Sequence, residues 1–149
     1  MVECEFPECT TFGSVIRFAL ELEKGAMMVN DEFANNAKLA AGSDTFRALA
    51  AAHKKRGDLL EYTRREKLNE MIQEPIQDLD TRKYIPDLTV PAAADLKAAA
   101  HVAAGIEEKS AMFYSDMASI AKNLLSEAAR IMEKMAKENL ANKQKLESL

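Results

Sequence analysis

The stretches ALELEKGAMMVNDEFA (19–34) and AAGIEEKSAMFYSDMA (103–118) decide how this chain folds. They lie 84 residues apart and say nearly the same thing. Ala19 matches Ala103, Leu22 matches Ile106, Glu23 matches Glu107 and Ala34 matches Ala118. Each stretch sets one glutamate on a small, apolar helical face. An unpaired carboxylate there costs about several kcal/mol, or shifts its pKa and neutralises. Whatever balances Glu23 and Glu107 is therefore the leading clue to function. A second offset, 86 residues, places Phe46 on Met132, Leu49 on Met135 and Ala50 on Ala136. The chain thus reads as a helical hairpin written twice, the turns absorbing the difference of two residues.

Working outward, Val15, Phe18, Ala19, Leu22, Ala26, Val29 and Phe33 recur at helical spacing and predict a first helix over 11–39. Gly42 reads as its stop and Ser43 as the cap of a second helix over 44–72, with Phe46, Leu49, Ala50, Leu60 and Leu68 apolar. The runs at Lys54–Arg56 and Arg64–Lys67 read as its solvated charged face. Pro75, Pro86 and Pro91 with Asp78, Asp80 and Asp87 mark 73–90 as a linker. Eighteen extended residues reach about 60 Å, and a 25-residue helix is only about 38 Å long. The linker can cross a whole bundle. Pro91 suits the first turn of a third helix over 91–121. A fourth is predicted over 126–146, with Ser126 as cap and Glu127 complementing the helix dipole. The fold class is all-α: one domain, an up-down four-helix bundle of two hairpins joined by a long crossover, with an N-terminal tail over 1–10.

Composition agrees. The chain has 149 residues, five Gly, four Pro and no Trp, and good helix formers dominate. A net charge of −4 argues against nucleic-acid binding, which normally needs a basic face. No apolar run approaches the roughly 18–20 residues of a membrane span, and the acidic start lacks a signal-peptide core, so a cytoplasmic protein is expected. Cys4 and Cys9 have no second pair to complete a zinc site and read as ordinary thiols in a loosely ordered terminus. Met27, Met28, Met112, Met117, Met132 and Met135 read as core filler. No Gly-rich phosphate loop or Ser-His-Asp arrangement stands out.

The two glutamate helices resemble those of rubrerythrin-like, ferritin-like proteins, which read roughly A-x-x-x-E-x-x-A-x-x-F-Y-x-x-x-A. The second copy matches best, keeping Glu107, Phe113, Tyr114 and Ala118. The first keeps Glu23 and Ala26 but has Val29-Asn30 in place of Phe-Tyr. The resemblance implies a ferritin-like bundle, a homodimer, a tyrosine near the site at Tyr114, and two irons that activate dioxygen or peroxide. In that family the second helix of each hairpin adds Glu-x-x-His, whose i and i+3 side chains share a face. Here the corresponding positions read His53-Lys-Lys-Arg56 and Asn139-Leu-Ala-Asn142, and no Glu-x-x-His occurs anywhere in the chain. The rubredoxin-type Cys-x-x-Cys of some relatives is missing as well.

Charge counting reads this departure. Two carboxylates face Arg56 and a protonated His53, which sums to about zero without metal. Arginine cannot ligate iron, and its planar fork suits a carboxylate instead. Arg56, Asn139, Asn142 and Tyr114 are therefore expected to form a polar core in place of the iron pair, with Arg56 filling the metal's space and no cofactor. Two alternatives stand. Glu23, His53 and Glu107 could hold a single iron, manganese or zinc ion, or the helix phase is off and both glutamates lie on the surface. His101, about 240° round the helix from Glu107, is expected to face elsewhere. The expected function is a non-catalytic member with a structural, binding or regulatory role. The alternatives are a rubrerythrin-like iron-dependent peroxidase or ferroxidase and a helical dimerisation module. No external partner is indicated.

Overall fold

The computed structural model describes residues 4–9, 11–66, 76, 80–91, 95–122 and 126–149. The expected helix over 67–72 and the linker over 73–75 and 77–79 lie outside the described residues. Four α-helices carry the fold: α1 (Phe12–Ala34), α2 (Ser43–Glu66), α3 (Leu96–Ala121) and α4 (Ser126–Glu147). Among the described residues there is no β-strand, so the all-α class holds. α1 packs along α2, α3 packs along α4, and α1 also packs on α3. No helix of the described residues is long and apolar enough to cross a membrane.

Local chemistry sets the helix ends. Thr11 caps α1 through a reciprocal box: its hydroxyl accepts from the Ser14 amide at 3.2 Å, and Ser14 Oγ accepts from the Thr11 amide at 2.9 Å. α1 stops at Ala34, earlier than the expected 39. The chain then turns through a 3-10 segment, Ala37–Gly42, capped by Asn36. Ser43 has helical dihedrals and opens α2 from within, so it is no N-cap. Gly42 lies in a close approach rather than at the end of α1. A Cβ there would lie 2.5 Å from Leu96 Cδ1 and 3.0 Å from the Phe46 ring. α3 starts at Leu96, not Pro91, because the Asp95 carboxylate caps it, accepting from the Ala98 amide at 2.8 Å. Ser126 likewise lies inside α4 rather than before it.

The interior has two apolar clusters. One gathers Phe12, Phe18, Leu22, Leu60, Phe113 and Met132 among others. The other gathers Val29, Phe33, Phe46, Leu49, Ile106 and Leu146 with their neighbours. Phe18 stacks on Phe113 at 4.9 Å between ring centroids, and Tyr84 closes edge-on over both. The Tyr84 hydroxyl donates to Asp116 at 2.6 Å. Leu88 then rests on Gly25, where a Cβ would come within 3.1 Å of its methyls. Residues 84–88 therefore lie along the α1–α3 side.

The N-terminal segment is less loose than its sequence implies. Phe6 packs on Phe18 at 4.9 Å, and Cys9 is buried in the first cluster. Both thiols are free, and burial pushes them up, Cys4 to about 11 and Cys9 to about 12. Met117, Met132 and Met135 are core residues as expected, while Met27 and Met28 are half-buried and Met112 is exposed.

Candidate functional site

Between the two apolar clusters lies a layer of polar side chains drawn from all four helices. Glu23 follows Leu22 on α1. His53 and Arg56 lie one turn apart on α2 and so share a face. Glu107 follows Ile106 on α3, with Tyr114 two turns later, and Asn139 comes one turn after Met135 on α4. All six are at most 6% exposed. The inward helix phase of Glu23 and Glu107 is thereby settled; neither is a surface glutamate.

These groups close into a ring. His53 Nδ1 lies 3.0 Å from Glu23 Oε2, and its Nε2 lies 2.5 Å from Glu107 Oε1. The other Glu107 oxygen accepts from Asn139 Nδ2 at 2.5 Å. Asn139 Oδ1 in turn accepts from Arg56 Nη2 at 2.8 Å. Arg56 Nε completes the circuit 3.2 Å from Glu23 Oε1. That last contact is an ion pair by distance, but the Nε–H is not aimed at the oxygen and makes no directed hydrogen bond. Two further contacts brace the ring. The Tyr114 hydroxyl donates to Glu23 Oε1 at 3.2 Å, and Arg56 Nη2 also donates to the Met135 carbonyl at 3.3 Å. The guanidinium carbon sits 5.3 Å from the Tyr114 ring centroid, within cation–π range.

Electrostatics fix the proton positions. Both imidazole nitrogens of His53 face carboxylate oxygens, which accept and do not donate when ionised. Burial alone would push the imidazole down, but the charges and hydrogen bonds of Glu23 and Glu107 outweigh it and hold His53 up to about 9. The ring is doubly protonated at neutral pH. Burial likewise opposes charge on Arg56, and Glu23, Glu107 and Glu138 hold it on. Burial first, and Glu23 next, raise Tyr114 well above the usual phenol range, so it stays a donor. Two carboxylates face an imidazolium and a guanidinium, and the formal charge of the layer is zero. Asn139 has one orientation that serves, with its oxygen toward the guanidinium and its nitrogen toward the carboxylate.

Most of the expected polar-core residues meet here: Glu23, His53, Arg56, Glu107, Tyr114 and Asn139. Asn142 does not. It is half-buried in the groove between α2 and α4 beside Ala48, Leu49 and Ala52, and makes no hydrogen bond to the ring. The repeat pairs it with Arg56, but Arg56 already spans to α4 and satisfies Asn139. Arg56 belongs to the charged run expected to be solvated; Lys54 and Lys55 are exposed, and Arg56 turns inward. The residue between the two carboxylates is His53, not Arg56. His101 is exposed on α3, away from the site.

The set fits iron poorly. A metal at His53 would have to displace a proton from a ring nitrogen that lies against a carboxylate. Arg56 adds a fixed positive charge beside Glu23. Among the described residues no group of three or more His, Cys, Asp or Glu side chains is arranged to hold a metal ion. Asn30, which stands where the resemblance has a tyrosine and which the repeat pairs with Tyr114, stays outside the ring. It is buried, and its amide donates to the Ala26 carbonyl at 2.8 Å. Comparison with known family models, curated proteins and solved structures gives no match.

Proposed function

We propose that this chain is a ferritin-like bundle, its hairpins joined by a crossover, in which a charge-balanced side-chain ring has replaced a di-iron site. Its role is then non-catalytic: structural, binding or regulatory. The observation that carries the reading is His53 lying between the two carboxylates, Nδ1 3.0 Å from Glu23 Oε2 and Nε2 2.5 Å from Glu107 Oε1, so that one imidazolium holds the carboxylates that a ferritin-like site would present to iron. Arg56 and Asn139 take up the remaining carboxylate oxygens, and the layer needs no cation to reach neutrality.

The test is metal content. Protein is incubated anaerobically with excess ferrous iron, freed of unbound metal, and analysed for iron, manganese and zinc. Under this reading, metal stays far below one ion per chain, and peroxide turnover does not rise on loading. Two stoichiometric irons per chain, or iron-dependent turnover of peroxide, would overturn it in favour of an iron-dependent oxidoreductase.

A further inference from the structure

The outside of α3 and α4 holds a groove of about 550 Å³, floored by the small side chains of Ala100 and Ala104. Lys97, His101 and Glu108 stand along its α3 edge, Lys143 stands on its α4 edge, and Leu149 lines it too. Helical spacing carries these edges on to Met112, one turn after Glu108, and to Leu140, one turn before Lys143. Met112 is 37% exposed, Leu140 50% and Leu149 39%; they are three of the six large apolar side chains left exposed among the described residues. Exposed apolar side chains gathered on one face, with charges at the rim, mark a surface that another molecule covers.

The charges choose the occupant. Along the exposed stripe of α3 two bases, Lys97 and His101, come first, and an acid, Glu108, follows. Lys97 and His101 make no ion pair with the described residues. Glu108 has only Lys143 at 3.5 Å, which also reaches Glu147 at 3.8 Å. A two-fold axis across the middle of the stripe sets a second copy of α3 antiparallel to the first, and such a contact makes every pair twice. Glu108 of each copy then stands opposite Lys97 and His101 of the other, and Met112 of each is carried toward Leu149 of the other. The area is sufficient. α3 has 26 residues, so it is about 39 Å long, and two helices side by side are about 20 Å wide. That face is on the order of 800 Å², the share of each partner in a standard interface. We propose that the outside of α3 and α4 binds a second copy of this chain about a two-fold axis, with the two α3 helices antiparallel.

This contact lies outside the bundle and goes beyond the reading of the ring; it stands whether or not metal binds there. Sedimentation of full-length protein up to about 1 mM, well above the μM limit usual for an interface of this size, should show chains pairing. Leu140→Lys should raise the dissociation constant at least about tenfold. Tyr62→Lys, at an exposed position on α2, should leave it unchanged. The charges are tested with Lys97→Glu and Glu108→Lys, both at exposed positions. Each variant alone sets like charges against each other at both contacts and should weaken pairing about tenfold. An equimolar mixture of the two restores opposite charges at both contacts and should pair within about threefold of the parent. Absence of pairing up to about 1 mM overturns the proposal. So does pairing that Leu140→Lys leaves unchanged or that Tyr62→Lys abolishes, or a mixture that pairs no better than either variant alone.

Discussion

Raising the pH from about 6 to 9 should remove most of the stability that His53 contributes. Its folded-state pKa is raised, from 6.5 to about 9. A raised pKa means the native state holds the proton more tightly than the unfolded chain. The contribution is thus complete below about pH 6.5 and is lost as the pH climbs through about 9. At about 1.4 kcal/mol per pH decade, that gap corresponds to about 3 kcal/mol, a large share of the ~5–15 kcal/mol that holds a domain folded. The assay is urea unfolding at several pH values between these limits. With a slope of about 2 kcal/mol per molar, the urea midpoint should fall by about 1.5 M. Measurements stop at pH 9 because Cys4 and Cys9, raised by burial to about 11 and about 12, would add a loss of the same sign above it. His53→Gln should start about 3 kcal/mol lower at pH 6 and show a flatter profile, while His101→Gln, at an exposed position, should track the parent. A flat pH profile in the parent, or an equal slope in His53→Gln, would refute the reasoning.

Removing Arg56 as Arg56→Met strands Glu23 and should cost about 3–5 kcal/mol, whereas Asn142→Ala, outside the ring, should stay within about 0.5 kcal/mol; thermal melts of the two variants make the comparison, and an unchanged melting temperature for Arg56→Met counts against the ring. Tyr114→Phe deletes the hydroxyl that donates to Glu23 at 3.2 Å and should cost about 1 kcal/mol in denaturant unfolding. Gly42→Ala should cost about 1–3 kcal/mol from overpacking, since its Cβ would meet Leu96 at 2.5 Å. Gly105→Ala, with nothing within 4 Å of the new Cβ, should stabilise α3 by about 0.5–1 kcal/mol; equal effects at the two glycines would contradict the packing described.

The four helices and the inward glutamates were legible because they rest on periodicity, and the repeat supplied each face twice. Helix ends were less so. Gly42 followed by Ser43 looks like a stop and a cap, yet the approach of Leu96, 54 residues further on, decides what Gly42 does. Pro91 looks like a first turn, but Asp95 has the side chain that satisfies the amides of α3. Within the site, charge counting weighs Glu23 and Glu107 against His53 and Arg56 but says nothing of their arrangement. Spacing places His53 and Arg56 on one face and says nothing of reach: the short imidazole bridges Glu23 and Glu107, and the long guanidinium passes them to meet α4. Asn142 misled for a related reason. Three residues turn a helix by about 300°, enough for Asn142 to fall into the α2–α4 groove while Asn139 points inward.

The proposed ring turns on one imidazolium holding both buried carboxylates. Long-range proton–nitrogen correlation spectra of His53 at neutral pH measure this directly. Both ring nitrogens should carry a proton, with shifts typical of imidazolium that persist to about pH 9 and do not change when ferrous iron or zinc is added. A single protonated nitrogen at neutral pH, or loss of one N–H signal on metal addition, would contradict it.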